Sequence, residues 1–255
     1  MGAAQQLLTV GDPVVSVSDS ADFDGTNDYM LRGGALTGVV DGKKGIFSCW
    51  VRLDGGDGTG RDILRSATFG TSRIAIEVGT DNKFAVFAAN SAGAQILLMR
   101  TVNAYTAGAT WRHVLSSWDM GTVGARWIYI TDAADLAVTT FTDDTIDYAM
   151  ATPDYGVGAN VNGATKFDGC LAELYFNTVD YLDFSVEANR RLFITAAGKP
   201  AFLGNAGELP TGTIPAVYLH LYDGEAVANF ATNRGSGGDF TITGTLDTGS
   251  TSPSD

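Results

Sequence analysis

Alternation with a period of two, in short runs, constrains this chain more than any other feature. In Phe47–Leu53 the residues Phe47, Cys49, Val51 and Leu53 fall on one face. In Arg73–Val78, Ile74, Ile76 and Val78 share a face, and Arg73, Ala75 and Glu77 lie opposite. The same reading marks 83–87, 95–100, 113–118, 127–131, 157–160 and 170–176 as strands. Between them stand clusters rich in Gly, Asn and Asp at 54–60, 79–82, 90–93, 119–121 and 160–163. Such residues supply the backbone angles and local hydrogen bonds that tight turns need. Short strands so punctuated predict an all-β antiparallel fold. The strand–helix alternation of a parallel sheet is missing, and so is any self-similarity typical of solenoids or propellers.

At 255 residues the chain can bury a sizeable core without a disulfide or a metal. Its formal net charge is −13, which argues against nucleic-acid partners and anionic membrane surfaces. Of the 29 acidic residues 24 are Asp, the turn-forming acid, so the acidity follows the turns. Two cysteines, Cys49 and Cys170, have no metal-binding spacing, and both fall in predicted strands as small buried residues, with free thiols favoured over a cross-strand disulfide. No basic region followed by an apolar run opens the sequence, and no apolar stretch is long enough to span a bilayer. The expectation is a protein made in a cytosol without membrane insertion.

One segment reads as helix. In Ser185–Ile194, Ser185 or Asp183 can cap the N-terminus, Glu187 suits the first turn and two arginines follow. Ala188 and Leu192, four apart, are expected to face the sandwich, and Gly198 and Pro200 end the run. Beyond it, Val217–Tyr222 puts Leu219 and Leu221 on one face and Tyr218, His220 and Tyr222 on the other. Phe240–Leu246 alternates too, with Phe240, Ile242 and Leu246 inward. The expected organisation is an N-terminal arm (1–13), a sandwich (14–195) and a C-terminal extension (196–255) with added strands and a mobile tail.

Five segments in order carry a family resemblance: Phe23–Tyr29, Phe47–Leu53, Trp111-Arg-His-Val-Leu-Ser-Ser-Trp-Asp119, Ile128–Ala133 and Phe167–Phe176. Together they resemble a laminin-G-like, concanavalin-A-type jelly roll over roughly 14–195. Thr131 and Ala133 depart from that family's usual hairpin. The stretch Asn233–Gly244, with Ser252 and Pro253, is similar to extensions on such proteins of tailed phages. The resemblance implies a non-enzymatic virion structural protein, a head-decoration, tail or fibre component assembled in the host cytoplasm. Other virion proteins and further copies of the chain would be its partners. The second reading is a carbohydrate-binding lectin or adhesin module that attaches to a host surface glycan. The third and more distant is a glycoside hydrolase.

The residues themselves give catalysis little support. Glu77, Glu173, Glu187, Glu208 and Glu225 are far apart in sequence, whereas retaining glycosidases need two carboxyls about 5–5.5 Å apart. With only His113 and His220 present and no nucleophile elbow, a serine triad has no evident basis. His113 reads as a structural ring bonded to a neighbouring strand or loop. Calcium needs roughly six to eight oxygen ligands. Asp54, Asp57 and Asp62 fall in one predicted loop and Asp143, Asp144 and Asp147 in another, without a motif, so no cofactor is expected. Gly235–Gly238 precedes a strand and lacks the lysine of a phosphate loop. The aromatic stripe Tyr218, His220 and Tyr222 is the candidate for ligand binding or for an interface.

Overall fold

A computed structural model describes residues 18–68, 70–150 and 154–255. The expected arm, 1–13, lies outside them. In chain order the strands are β1 (Ser18–Asp19), β2 (Ala21–Asp24), β3 (Tyr29–Leu31), β4 (Lys44–Leu53), β5 (Arg61–Ser66), β6 (Ile74–Val78), β7 (Phe84–Ala89), β8 (Gln95–Arg100) and β9 (Arg112–Asp119). They continue with β10 (Arg126–Ile130), β11 (Ala133–Ala134), β12 (Ala137–Phe141), β13 (Tyr155–Val157), β14 (Asp168–Asn177), β15 (Val217–Leu219), β16 (Leu221–Tyr222), β17 (Thr241–Thr243) and β18 (Asp247–Thr248). One α-helical turn, α1 (Glu187–Arg190), and one 3-10 turn, Val227–Ala231, interrupt them.

The first sheet runs β11-β10-β9-β4-β14-β2-β18, and β15 pairs β14 where β2 ends. The second runs β12-β8-β7-β6-β5-β13-β3-β17. Every pairing is antiparallel, and β1 and β16 form a separate ribbon. Residues from both sheets meet in one core that includes Phe23, Phe47, Val51, Ile76, Val86, Trp118, Phe167 and Phe176. Each such side chain withdrawn from water contributes about 1.5–3 kcal/mol. Two polar tips at the core are satisfied: Trp118 Nε1–H donates to Tyr148 OH at 2.9 Å, and Tyr148 OH donates to the Lys44 carbonyl at 2.8 Å.

The outer face of the first sheet is covered. Phe184, Phe193, Ala201 and Leu203 from the segment after β14 pack on Ile46, Leu115, Tyr175 and Tyr218. This cover is less helical than expected. The predicted helix over 185–194 contracts to the four residues of α1, its N-cap position is Val186, and no side chain caps it. Asp183 Oδ1 instead accepts from the Ser185 amide and hydroxyl, which favours a turn over a cap. Ala188 is exposed, whereas Leu192, half-buried, packs on the sheet as expected, and Phe184 and Phe193 are the main anchors of the segment.

The C-terminal region is woven into the sandwich. β15 extends the first sheet, β17 pairs β3 and β18 pairs β2. The tail expected to be mobile is docked: Ser20 Oγ donates to the Thr251 carbonyl at 2.9 Å, and Arg52 Nη1 to Thr251 Oγ1 at 2.7 Å. Cys49 and Cys170 are free, and both are buried. Register explains it: Cys49 lies in the core, whereas Cys170 pairs with Arg52 on the opposite face of the sheet. Among the described residues no helix is long and apolar enough to cross a membrane.

Candidate functional site

The second sheet keeps an open outer face, and its side chains are set by strand register. Arg65, Ala75, Phe87 and Leu98 form one row across β5, β6, β7 and β8. Asp62, Glu77, Ala85 and Arg100 form the adjacent row. A register shift between Asp62 and Leu64 makes Ile63 an extra residue. That bulge puts Asp62 and Arg65, three apart, on the same face while Ile63 and Leu64 both enter the core. Ala75 and Ala85 are small enough for longer neighbours to lie across them. Phe87 and Leu98 stay half-buried and belong to none of the buried apolar clusters.

From these rows Arg65, Glu77, Phe87, Leu98 and Arg100 line a groove of about 340 Å³. Arg65 is its organiser, with its side chain 4% exposed. Its Nε donates to Asp62 Oδ1 at 2.7 Å, its Nη1 to Ser72 Oγ at 3.0 Å, and its Nη2 pairs with Glu77 Oε2. Asp62 also accepts from the Thr165 hydroxyl. Burial raises the carboxyls of Asp62 and Glu77, and Arg65 opposes that shift in both. Glu77 keeps a quarter of its side-chain surface open to the groove. Opposite it, Arg100 Nη2 donates to Asp81 Oδ1 at 2.8 Å, and its buried Nε has no hydrogen-bond partner. Gln95 Nε2 donates to Thr140 Oγ1 at 2.9 Å. Alternation marks β6–β8 and leaves β5 unmarked, so the expected loop that groups Asp62 with Asp54 and Asp57 is corrected here: Asp62 lies on a strand. The two consecutive apolar residues between Asp62 and Arg65 are the sequence trace of the bulge.

The stripe expected to bind a ligand is placed differently. Tyr218 and His220 are 0% exposed, and Tyr222 is 37% exposed. The three rings do lie together: Tyr218 stacks on His220 at 5.7 Å and Tyr222 meets His220 edge-on at 4.3 Å. They serve a buried polar group. Tyr218 OH donates to Glu173 Oε2 at 2.9 Å, and His220 Nδ1 lies 2.9 Å from Glu173 Oε1. Glu173 sits at a positive φ of 52°, inside the bulge of β14 between Ala172 and Tyr175. An exposed sugar platform on this stripe is therefore excluded for Tyr218 and His220.

His113 is 1% exposed, stacked on Trp50 at 4.9 Å, with Nε2 2.8 Å from Ser48 Oγ. Burial pushes its pKa down to about 3. The pair lies on the covered side of the first sheet, where Trp50 packs with Ile194. A serine–histidine contact so enclosed offers no route to a substrate. Asp62 is 0% exposed and held by Arg65 and Thr165, so it and Glu77 are not a free acid and nucleophile. A third grouping, Asp22, Asp54 and Cys170, brings three ligand-type atoms within 4.8 Å of one another. Arg52 already engages both Asp54 oxygens, at 2.8 and 2.7 Å, and burial pushes the Cys170 thiol up to about 12.

No protein-family model matches the sequence, and no curated protein does. Solved structures do. A protein from Bacteroides ovatus, provisionally described as carbohydrate-binding, superposes with a TM-score of 0.62 at 15% identity, over 93% of this chain and 61% of that one. The chain thus spans about three-fifths of that protein's length. A heptameric pentraxin from Limulus polyphemus gives 0.47 at 12% identity, over 66% of this chain and 79% of that one. Domains LG4-5 of the mouse laminin α1 chain give 0.41 at 17% identity, over 66% and 43%. Two antiparallel sheets with this order, one short helix among the described residues and added C-terminal strands make the fold an antiparallel β-sandwich of the concanavalin-A-like jelly-roll type, shared with the Bacteroides protein.

Proposed function

We propose that this chain is a carbohydrate-binding module whose ligand lies in the groove across β5–β8. One observation carries the reading: an apolar step, Phe87 and Leu98, stands beside ordered carboxylate, guanidinium and amide groups on the open face. A pyranose offers a C–H face and a rim of hydroxyls, and such a surface meets both at once. The volume of the groove, about 340 Å³, lies within the range of small-ligand sites. The Bacteroides protein has the same fold, and the reading extends its described ligand class to this chain. Binding without hydrolysis follows from the engaged state of Asp62.

A glycan array probed with the full chain and with Phe87→Ala tests it. Saturable binding that falls at least tenfold in the variant is the expected result. Binding indifferent to Phe87 places the ligand elsewhere, and no binding to any glycan removes the reading. Carriage on a phage particle, the expectation from the C-terminal extension, concerns where such a module is mounted. Co-purification with intact particles in fixed copy number tests that part.

A further inference from the structure

Every guanidinium facing the groove is held by a carboxylate of the protein itself. Arg65 is shared between Asp62 and Glu77, and Arg100 is held by Asp81. Those two cations stand against the three carboxylates that hold them, within a chain of net charge −13. A carboxylated or sulfated sugar entering here would meet a negative field and would have to displace an internal partner to gain a counter-charge. What the groove still offers is neutral hydrogen bonding. Glu77 has exposed side-chain surface, and Gln95 keeps its carbonyl oxygen after donating to Thr140.

From this charge balance we infer that the groove selects uncharged hexopyranose units and rejects uronic, sialylated and sulfated glycans. The inference rests on the glycan-binding reading above. Glu77 is the specificity-determining residue. Its carboxylate accepts from adjacent sugar hydroxyls, and Arg65 is the positioning residue that fixes it. A ring stacked on Phe87 directs its hydroxyl edge to the adjacent row, where Glu77 and Arg100 flank Ala85.

The test is calorimetry and array binding of the full chain with oligosaccharides in matched neutral, uronic-acid, sialylated and sulfated forms, at low and high sodium chloride. The expected result is binding to a neutral form at least tenfold tighter than to its anionic counterparts, and nearly independent of salt. Glu77→Gln should weaken the neutral ligand by about tenfold or more, with thermal stability measured alongside. Gln95→Ala should weaken it less, and that exposed side chain is no part of the fold's interior. Tighter binding of an anionic form, weakened by salt, overturns the inference and leaves glycan binding standing. Equal affinity for neutral and anionic forms also overturns it. No binding to any member overturns the underlying reading itself.

Discussion

His113 shows how one buried residue acts on the whole stability curve. Its ring is stacked on Trp50, bonded to Ser48 and neutral, with a pKa near 3 against 6.5 in the unfolded chain. The unfolded state therefore binds more protons between those values. The contribution of this group is fully present at neutral pH and is lost as pH falls below about 6.5, at a rate approaching about 1.4 kcal/mol per pH unit. His113→Gln keeps a hydrogen-bonding side chain and removes the titration. Urea unfolding of both proteins from pH 7 to pH 4 should show the stability difference shifting steadily in favour of the variant. A difference that stays flat contradicts a neutral buried ring. Legibility at this scale was partial: a structural, hydrogen-bonded His113 could be read from its place in an alternating run, and the structure decides that the partner is Ser48 on a neighbouring strand. The burial of Tyr218 and His220 could not, because alternation says which residues share a face and not what covers it.

Among the elements, the two bulges matter most. In β14 the core residues Leu171, Leu174 and Phe176 are spaced three and then two apart, and the phase break turns Glu173 toward Tyr218. In β5 the extra residue Ile63 unites Asp62 with Arg65. The β10–β11 hairpin closes through Thr131 and Asp132, both at positive φ, 46° and 66°. That matches the twist of a two-residue hairpin turn. Asp132 then pairs with both Arg190 and Arg191, clamping the cover to the sheet. The C-terminal strands are structural in the same sense. Deleting 241–255 removes β17 and β18, the burial of Leu246, and the bonds from Ser20 and Arg52 to Thr251. The loss should be about 3 kcal/mol or more, read as a lower denaturation midpoint. An unchanged midpoint would mean that the tail is an appendage.

At the scale of the whole molecule, the two outer faces have opposite duties. The first sheet's face is sealed by Phe184 and Phe193, and the second sheet's face keeps Phe87 half-exposed. Phe184→Ala should cost about 3–5 kcal/mol, the range for emptying a buried aromatic site. Phe87→Ala should cost under about 1.5 kcal/mol and remove glycan binding. Denaturation and binding measured on the same pair of variants check this division; equal destabilisation by both would place Phe87 in a core.

Period-two alternation, with turns of Gly, Asn and Asp, was enough to determine the all-β class and most strands, because the alternation of side chains across a strand is local geometry. Tertiary structure alone decided which sheet face stays open. The cover on the first sheet comes from a segment with no strong periodicity, and the groove on the second is assembled from four strands joined by register. Glu77 was visible as the polar face of an amphipathic strand. That it stands across from Asp62, shares Arg65 with it and lies near Phe87 depends on a bulge in a segment that reads as loop. Pairing between strands fixes such neighbours, and no local pattern contains it.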